Sequence, residues 1–193
     1  GYQANVSADN TIAVGNGAIK SIGGDVNWTA TSDGRFKNNI NEDVVGLDFI
    51  LNLRPVTYNM KPVAMLNFAG KEVPEDLKSA IKDKEQIRYT GFIAQEVEEA
   101  ALALDYDFSG LDLPQNDKDA YGLRYAEFVV PLVKAVQEQQ DEIEQLKAEN
   151  EMLKAQSSST QAENEQLKEQ VLNNQIEISR IKEMLSIDEQ AEK

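Results

Sequence analysis

A serine and a lysine lie five positions apart in "TATSDGRFKNNI", residues 29–40, and these two side chains could do chemistry together. A serine hydroxyl is a poor nucleophile at neutral pH and needs a base within hydrogen-bond reach. The chain contains no histidine and no cysteine, so lysine is the usual remaining candidate for that base. A lysine base must be neutral, and burial or a neighbouring cation such as Arg35 favours the neutral form. The spacing therefore allows a Ser32–Lys37 pair.

The same segment also has a purely structural interpretation. Asp33-Gly34 is a strong turn signal, and within such a turn the Ser32 hydroxyl can bond a nearby backbone amide. Trp28, four residues before Ser32, either packs against this turn or serves as an ordinary buried anchor. Spacing alone leaves both interpretations open.

The composition excludes several classes of function. Without histidine or cysteine there is no Ser-His-Asp triad, no disulfide and no zinc site built on thiolate or imidazole, so we expect neither a metal nor a cofactor. A net charge of −15 argues against binding to nucleic acid or to an anionic membrane. The sequence contains no run of about 18 apolar residues, so it does not predict a helix that spans a membrane. The opening "GYQANVSADN" is not a signal peptide, which indicates a cytosolic protein or part of a longer one.

Residues 1–31 differ in composition from the rest of the chain. They are rich in Gly, Asn, Ala and Ser, with short alternating apolar positions as in "TIAVG". This pattern predicts short strands and tight turns with little side-chain volume for a separate core. Such a strip is stable when it stacks on copies of itself or winds with other chains. We expect 1–31 to be the β-rich end of a fibre.

Residues 32–124 predict a small α+β core. The pattern indicates amphipathic helices and short strands, followed by a polar loop over residues 107–122. Residues 61–85 are expected to form either an arm or a surface insertion. The predicted elements are a helix within Val44–Leu53 that Pro55 ends, strands at 55–60 and Gln86–Phe92, a helix within 74–85, and a helix over 93–104 with Ile93, Val97, Ala100, Ala101 and Leu104 on one face.

Residues 125–193 predict one long helix with a heptad repeat. Apolar positions alternate steps of three and four over about 80 Å, which is typical of a left-handed coiled coil. A helix of this kind needs partner helices, so we expect an oligomer, although the pattern does not separate two strands from three. The a positions are Val136, Ile143, Asn150, Ser157, Asn164, Val171, Ile178 and Leu185, and the d positions are Leu132, Gln139, Leu146, Leu153, Thr160, Leu167, Asn174 and Ile181.

Several motifs carry a family resemblance. "SDGRFKNNI" matches the S-D-x-R-x-K-x-x-I motif of the intramolecular chaperone auto-processing family, known from endosialidase tailspikes and other phage tail fibres. Three later blocks resemble the same family in the expected order: "GLDFILNLRPVTYNM", "TGFIAQEVEEA" and "YGLRYAEFVVPLVKAVQEQQ". The resemblance covers roughly residues 25–140. Upstream, "NTIAVGNGA" resembles the head repeats of trimeric autotransporter adhesins.

The resemblance implies a homotrimeric chaperone at the end of a fibre. Three copies would fold the upstream β-fibre of their own chains and then release themselves by cleavage between Thr31 and Ser32. By motif position, Ser32 is the nucleophile and Lys37 the general base. Asp33 and Arg35 match the motif in supporting roles. The implied location is a phage virion or a bacterial cell surface, with the chaperone part released after cleavage.

Two other functions stay open beside this one. The fold and coiled coil would also serve a permanent trimerisation module that does not cleave, and a third possibility is an adhesin or host-binding tip. Gln95 in the family block is expected to make a polar contact at a helix start rather than to catalyse. The acidic pairs Glu98-Glu99 and Glu142/Glu144 are expected on solvated helix faces rather than in a glycosidase or metal site.

Overall fold

The computed structural model describes residues 12, 14–16, 18–117 and 119–191, with side chains as far as Met184. These residues form a mixed α+β fold with two small sheets and one long helix, which confirms the predicted fold class. The elements are α1 (Leu47–Asn52), β1 (Val56–Asn59), α2 (Pro62–Phe68), α3 (Lys78–Glu85), β2 (Arg88–Gly91), α4 (Ala94–Ala103), β3 (Leu111–Asp112), β4 (Gly122–Leu123) and α5 (Val129–Ala191), with 3-10 turns at Gly34–Phe36, Glu75–Leu77 and Tyr125–Phe128.

The predicted β-rich end at residues 1–31 is not evident. Residues 1–11, 13 and 17 lie outside the described residues, and the described positions between 12 and 31 form no strand. Their large apolar side chains are mostly exposed, Trp28 by 92%. A strand needs a paired neighbour for its backbone groups, and a glycine-rich strip supplies no packing of its own to replace that neighbour.

The first sheet pairs the two predicted strands. β1 and β2 run antiparallel, with Val56 opposite Gly91 and Asn59 opposite Arg88. β1 is two residues shorter and β2 three residues shorter than the sequence predicted, and the chain between them holds α2 and α3. α2 was not predicted: it begins at Pro62, a residue whose fixed backbone angle suits the first turn of a helix. The 61–85 segment is therefore largely helical.

The predicted loop at residues 107–122 needs a correction. It contains β3, which pairs antiparallel with β4 through Leu111 opposite Leu123. The Arg124 backbone N–H donates to the Gly110 carbonyl at 2.8 Å, and its guanidinium donates to the Ser109 carbonyl at 2.9 Å. These contacts hold the two ends of the segment together, so a short ladder forms where the composition indicated only a loop.

An aromatic cluster forms the core of the first unit, which ends at Glu138. Phe49 of α1 is fully buried, with its ring centroid 4.9 Å from that of Phe108, and Phe108 lies 4.8 Å from Phe128. Val97, Ala100 and Ala101 of α4 complete the cluster at helical spacing, as predicted for that face. Phe→Ala changes in such a core cost about 3–5 kcal/mol, so these rings dominate the stability of the fold.

The second unit, from Gln139 onward, consists of α5 alone. The predicted helix is confirmed, although it begins at Val129 after the 3-10 turn rather than at Tyr125. The a and d side chains of this unit from Gln139 to Ile181 are exposed in the single chain, and the amides of Asn150 and Asn164 donate to their own helix backbone at 2.9 Å. A helix with an exposed apolar stripe gains its stability from partners, which agrees with the predicted coiled coil.

Candidate active site

The chain places the Ser32 and Lys37 side chains in direct contact. Lys37 Nζ donates a hydrogen bond to Ser32 Oγ at 2.8 Å, and both residues are exposed in the single chain. The 3-10 turn at Gly34–Phe36 reverses the backbone between them, so a separation of five residues becomes a side-chain contact. Thr31, directly before the serine, is also exposed and lies outside any helix or strand.

Asp33 and Arg35 build the turn that joins the pair. The Asp33 carboxylate accepts from the Arg35 backbone N–H at 2.9 Å, and the Arg35 guanidinium donates to both carboxylate oxygens. The side-chain hydrogen bonds from Arg35, together with its backbone N–H, lower the pKa of Asp33, and the carboxylate in turn raises the pKa of Arg35. Lys37 ends the turn by donating its backbone N–H to the Gly34 carbonyl at 3.2 Å. The aspartate–arginine pair thus orients the turn rather than touching the serine.

Apolar side chains near the pair are uncovered. Trp28, Phe36 and Ile40 are 92%, 76% and 74% exposed, and the Arg35 guanidinium lies 5.7 Å from the centre of the Phe36 ring. The sequence interpretation of Trp28 as a buried anchor therefore does not hold in the single chain. Exposed aromatic groups next to a candidate site indicate a surface that a partner covers.

The other residues that the sequence singled out lie on helices and make contacts of their own. Gln95 is in the first turn of α4, in a surface pocket that Tyr58, Tyr121 and Tyr125 also line. The Glu98 carboxylate accepts from the Tyr121 hydroxyl at 2.9 Å, and this hydrogen bond raises the pKa of Tyr121. Glu98 is thus part of a hydrogen-bonded pair and not only a solvated charge.

Among the described residues, no group of acidic side chains is arranged to hold a metal ion. Glu144 instead accepts from the Gln140 side chain one helical turn away, at 2.8 Å. None of the described helices is long and apolar enough to cross a membrane.

The chain thus has a Ser–Lys contact at the start of a small α+β core, with one long helix after that core. Residues 32–106 match the sequence model of a family described as "Chaperone of endosialidase". This match supports the intramolecular chaperone family for that part of the chain, and it begins at Ser32 itself. No curated protein and no solved structure matches the chain.

The match supports a chaperone role, and the family model is also named as a peptidase, which suggests self-cleavage. The family is associated with phage tail fibres. The matched residues include Ser32 and Lys37, which form the candidate dyad, and extend through the elements up to Tyr106, whereas α5 lies beyond them. The adhesin-like repeat proposed from "NTIAVGNGA" has no match and stays a prediction.

Proposed function

We propose that this protein is an intramolecular chaperone that assembles as a homotrimer, guides the folding of an upstream β-fibre and then releases itself by cleavage between Thr31 and Ser32. The observation that carries this proposal is the 2.8 Å hydrogen bond between Ser32 Oγ and Lys37 Nζ. This pair stands at the first residues of the segment that matches the chaperone family. A serine nucleophile needs an adjacent base, and in a chain without histidine a lysine can serve as that base.

The proposed reaction begins as a transfer of the Thr31 acyl group within the chain. Neutral Lys37 takes the proton from Ser32 Oγ as this oxygen bonds to the Thr31 carbonyl carbon. The bond from that carbon to the Ser32 nitrogen then breaks, and protonated Lys37 gives its proton to the leaving amine. Water hydrolyses the resulting ester, which restores the Ser32 hydroxyl and leaves a carboxylate on Thr31. One lysine serves as base and then as acid.

Assembly would provide the environment that this reaction needs. Ser32 and Lys37 are exposed to water in the single chain. Covering the neighbouring apolar groups of Trp28, Phe36 and Ile40 by other copies would exclude water and favour the neutral amine. Cleavage would then follow assembly.

The order of events has a physical advantage for the fibre. The coiled coil on α5 would bring three chains together, which raises the effective concentration for winding non-local β-structure. Cleavage afterwards would separate the trimerising module from the fibre, so the fibre could unfold but not easily refold. The fibre would therefore depend on a high unfolding barrier, which is kinetic stability. A tail fibre or a bacterial surface fibre would suit such a client.

A permanent trimerisation module is the second candidate. The solvent exposure of both dyad side chains in the single chain favours it, because water has free access to the pair there. The two candidates differ in one measurable product, the fragment that begins at Ser32.

The test is the intact mass of freshly refolded protein followed over time. We expect a fragment starting at Ser32 from the wild-type chain and none from Ser32→Ala or Lys37→Ala. Lys71→Ala is the matched control, since it removes an exposed lysine far along the chain from the pair and should cleave normally. Sedimentation of the same samples reports the number of copies. An unchanged full-length mass in a confirmed trimer would leave the non-cleaving module as the function.

A further inference from the structure

The start of α5 packs on the chain's own core along one edge of the predicted coiled-coil seam. Pro131 and Ala135 lie four residues apart, hence on one helical face, and both are buried. Leu132 and Val136, at predicted d and a positions, are exposed on the adjacent face. In the heptad assignment Ala135 is a g residue, so the core lies on the g side of the seam.

The opposite edge of the seam carries two exposed valines. Val130 and Val133 occupy b and e positions three residues apart, on one face of the helix, and are 54% and 53% exposed. The e positions that follow are polar, as is usual in coiled coils, and they are Gln140, Lys147, Lys154, Gln161, Lys168, Gln175 and Lys182. Adjacent apolar side chains on an edge that is otherwise polar indicate a surface that a partner covers.

The charges along both edges of the seam indicate how a second copy of α5 would lie. In a parallel, in-register coiled coil, a g residue faces the e residue of the following heptad on the neighbouring helix. With that alignment, glutamate meets lysine and glutamine meets glutamine, and the pairs are Glu142–Lys147, Glu149–Lys154, Gln156–Gln161, Glu163–Lys168, Gln170–Gln175 and Glu177–Lys182. An antiparallel arrangement would place g beside g, and so glutamate beside glutamate. Charge complementarity therefore favours a parallel second copy.

Two of these lysines have partners on their own helix in the single chain. Lys154 Nζ lies 2.7 Å from a carboxylate oxygen of Glu151, and Lys168 Nζ lies 2.8 Å from one of Glu165. All four side chains are mostly exposed, and exposed ion pairs of this kind are weak. Both lysines can therefore turn to the g residue of a neighbouring copy.

The parallel alignment also determines what the two valines meet. Phe128 stands one heptad before Ala135, so Val133 of one copy falls opposite Phe128 of the next. Phe128 is buried in the core of its own chain, and the ring of Tyr125 stacks on it at a centroid distance of 5.8 Å. Tyr125 is 48% exposed, so aromatic surface is open at this point of the core.

We propose that Val130 and Val133 form a docking surface for the α+β core of a second copy, which lies parallel to the first and in register with it. Each core would then be held by its own α5 and by the α5 of a neighbour. The inference rests on the proposed assembly of the chain and not on the proposed cleavage. It applies to two copies as well as to three, because the e edge faces the g edge in any parallel coiled coil.

Sedimentation of the full chain over a dilution series tests the docking, in a Ser32→Ala background that cannot cleave. Val130→Gln and Val133→Gln introduce a residue type that occupies several later e positions, and each should raise the concentration for half-assembly at least about tenfold. Leu172→Gln is the matched control, because Leu172 is also an exposed b residue but lies in the unit that consists of α5 alone. It should shift that concentration by less than about twofold.

The outcomes separate failure of the docking from failure of the assembly. If the parent assembles and the valine variants assemble equally well, or no worse than Leu172→Gln, the docking is overturned and the assembly stands. If Val133→Gln instead lowers the stability of unassembled chains and leaves half-assembly unchanged, the valines are covered within their own chain, which also overturns the docking. A parent that stays a single chain at every concentration overturns both.

A single introduced cysteine tests the orientation, since the chain has no cysteine of its own. Leu146→Cys, at a predicted d position, should form a disulfide between copies when a thiol oxidant is added, because parallel copies in register place this residue in one layer. Ala148→Cys, at an outward f position, is the control and should cross-link far less. Assembled protein in which Leu146→Cys forms no more disulfide than Ala148→Cys would overturn the parallel alignment and with it the docking.

Discussion

The dyad segment, residues 28–40 around Ser32 and Lys37, and the aromatic core both contain large aromatic side chains, but only the core buries them. In the core, Phe49 is fully buried and contacts Phe108 at a centroid distance of 4.9 Å. Near the dyad, Trp28 and Phe36 are 92% and 76% exposed. The single chain thus buries the apolar side chains of its core and leaves those beside the reactive pair exposed to solvent.

This difference separates stability from activity. Residues that pack in the core determine whether the chain folds, whereas the residues at the dyad have few contacts that folding of one chain depends on. A turn held by Asp33 and Arg35 keeps the reactive pair in place without a core around it. We therefore expect core changes to alter stability strongly and changes around the dyad to alter cleavage or assembly with little effect on folding.

The largest effect should come from Phe49→Ala. This change removes a fully buried ring that contacts three other aromatic rings, so it should lower the free energy of unfolding by about 3–5 kcal/mol. Chemical denaturation followed by circular dichroism measures the loss. A Ser32→Ala background prevents cleavage, and a protein concentration at which sedimentation shows single chains removes the effect of assembly.

Phe36→Ala is the matched control for that measurement. It removes the same side chain from a position that is 76% exposed in the single chain, so in unassembled protein the loss should stay within about 0.5 kcal/mol. Equal losses from the two changes would contradict the separation between the core and the dyad segment.

Much of the fold follows from local patterns in the sequence. The helices α1 and α4 have apolar residues at helical spacing, and Pro55 marks the end of the first. α2 was missed because its four apolar residues after Pro62 lie beside each other and give no clear period, although the proline itself was a usable signal. The β3–β4 ladder was missed because it depends on the Arg124 contacts, which no local pattern encodes.

The site was predicted less completely than the fold. The types and spacing of Ser32 and Lys37 indicated that the side chains could meet, and the turn signal at Asp33 indicated how. Sequence gave no sign that Trp28 is exposed, since burial depends on what packs nearby. It also gave no sign that the Leu47 backbone N–H donates a hydrogen bond to Glu138. These residues are 91 positions apart, and a bond between them follows from packing and not from local pattern.

The seam of the second unit provides the next test. Leu153→Asp would place a carboxylate in every copy at one predicted core layer, so the concentration for half-assembly should rise at least about tenfold, equivalent to about 1.4 kcal/mol. Sedimentation over a dilution series measures the shift. Met152→Asp is the control, because Met152 is adjacent and 67% exposed but off the predicted seam. A similar effect from both changes would contradict the heptad assignment.

A smaller effect is expected from Tyr125→Phe at the edge of the core. The Tyr125 hydroxyl accepts from the Phe92 backbone N–H at 3.1 Å, and its ring stacks on that of Phe92. The change keeps the ring and removes the acceptor, so it should lower the free energy of unfolding by about 1 kcal/mol. Tyr106→Phe removes a hydroxyl with no hydrogen bond shown among the described residues, and denaturation should show little change for it. A larger loss from Tyr106→Phe would contradict this account.

The smallest effect concerns the turn that joins the reactive pair. The Arg35 hydrogen bonds lower the pKa of Asp33, so the folded chain binds this proton less readily than the unfolded chain does. The turn should therefore stay intact above the ordinary pKa of an aspartate and be lost only as the pH falls through the lowered folded value. An NMR titration of the Asp33 carboxyl carbon in Ser32→Ala protein measures this pKa. Arg35→Ala should return it toward the ordinary value, whereas Arg88→Ala should leave it unchanged. An ordinary Asp33 titration in the parent protein would mean that the exposed pair does not hold the turn, and the dyad would then need a partner chain for its geometry as well as for its cover.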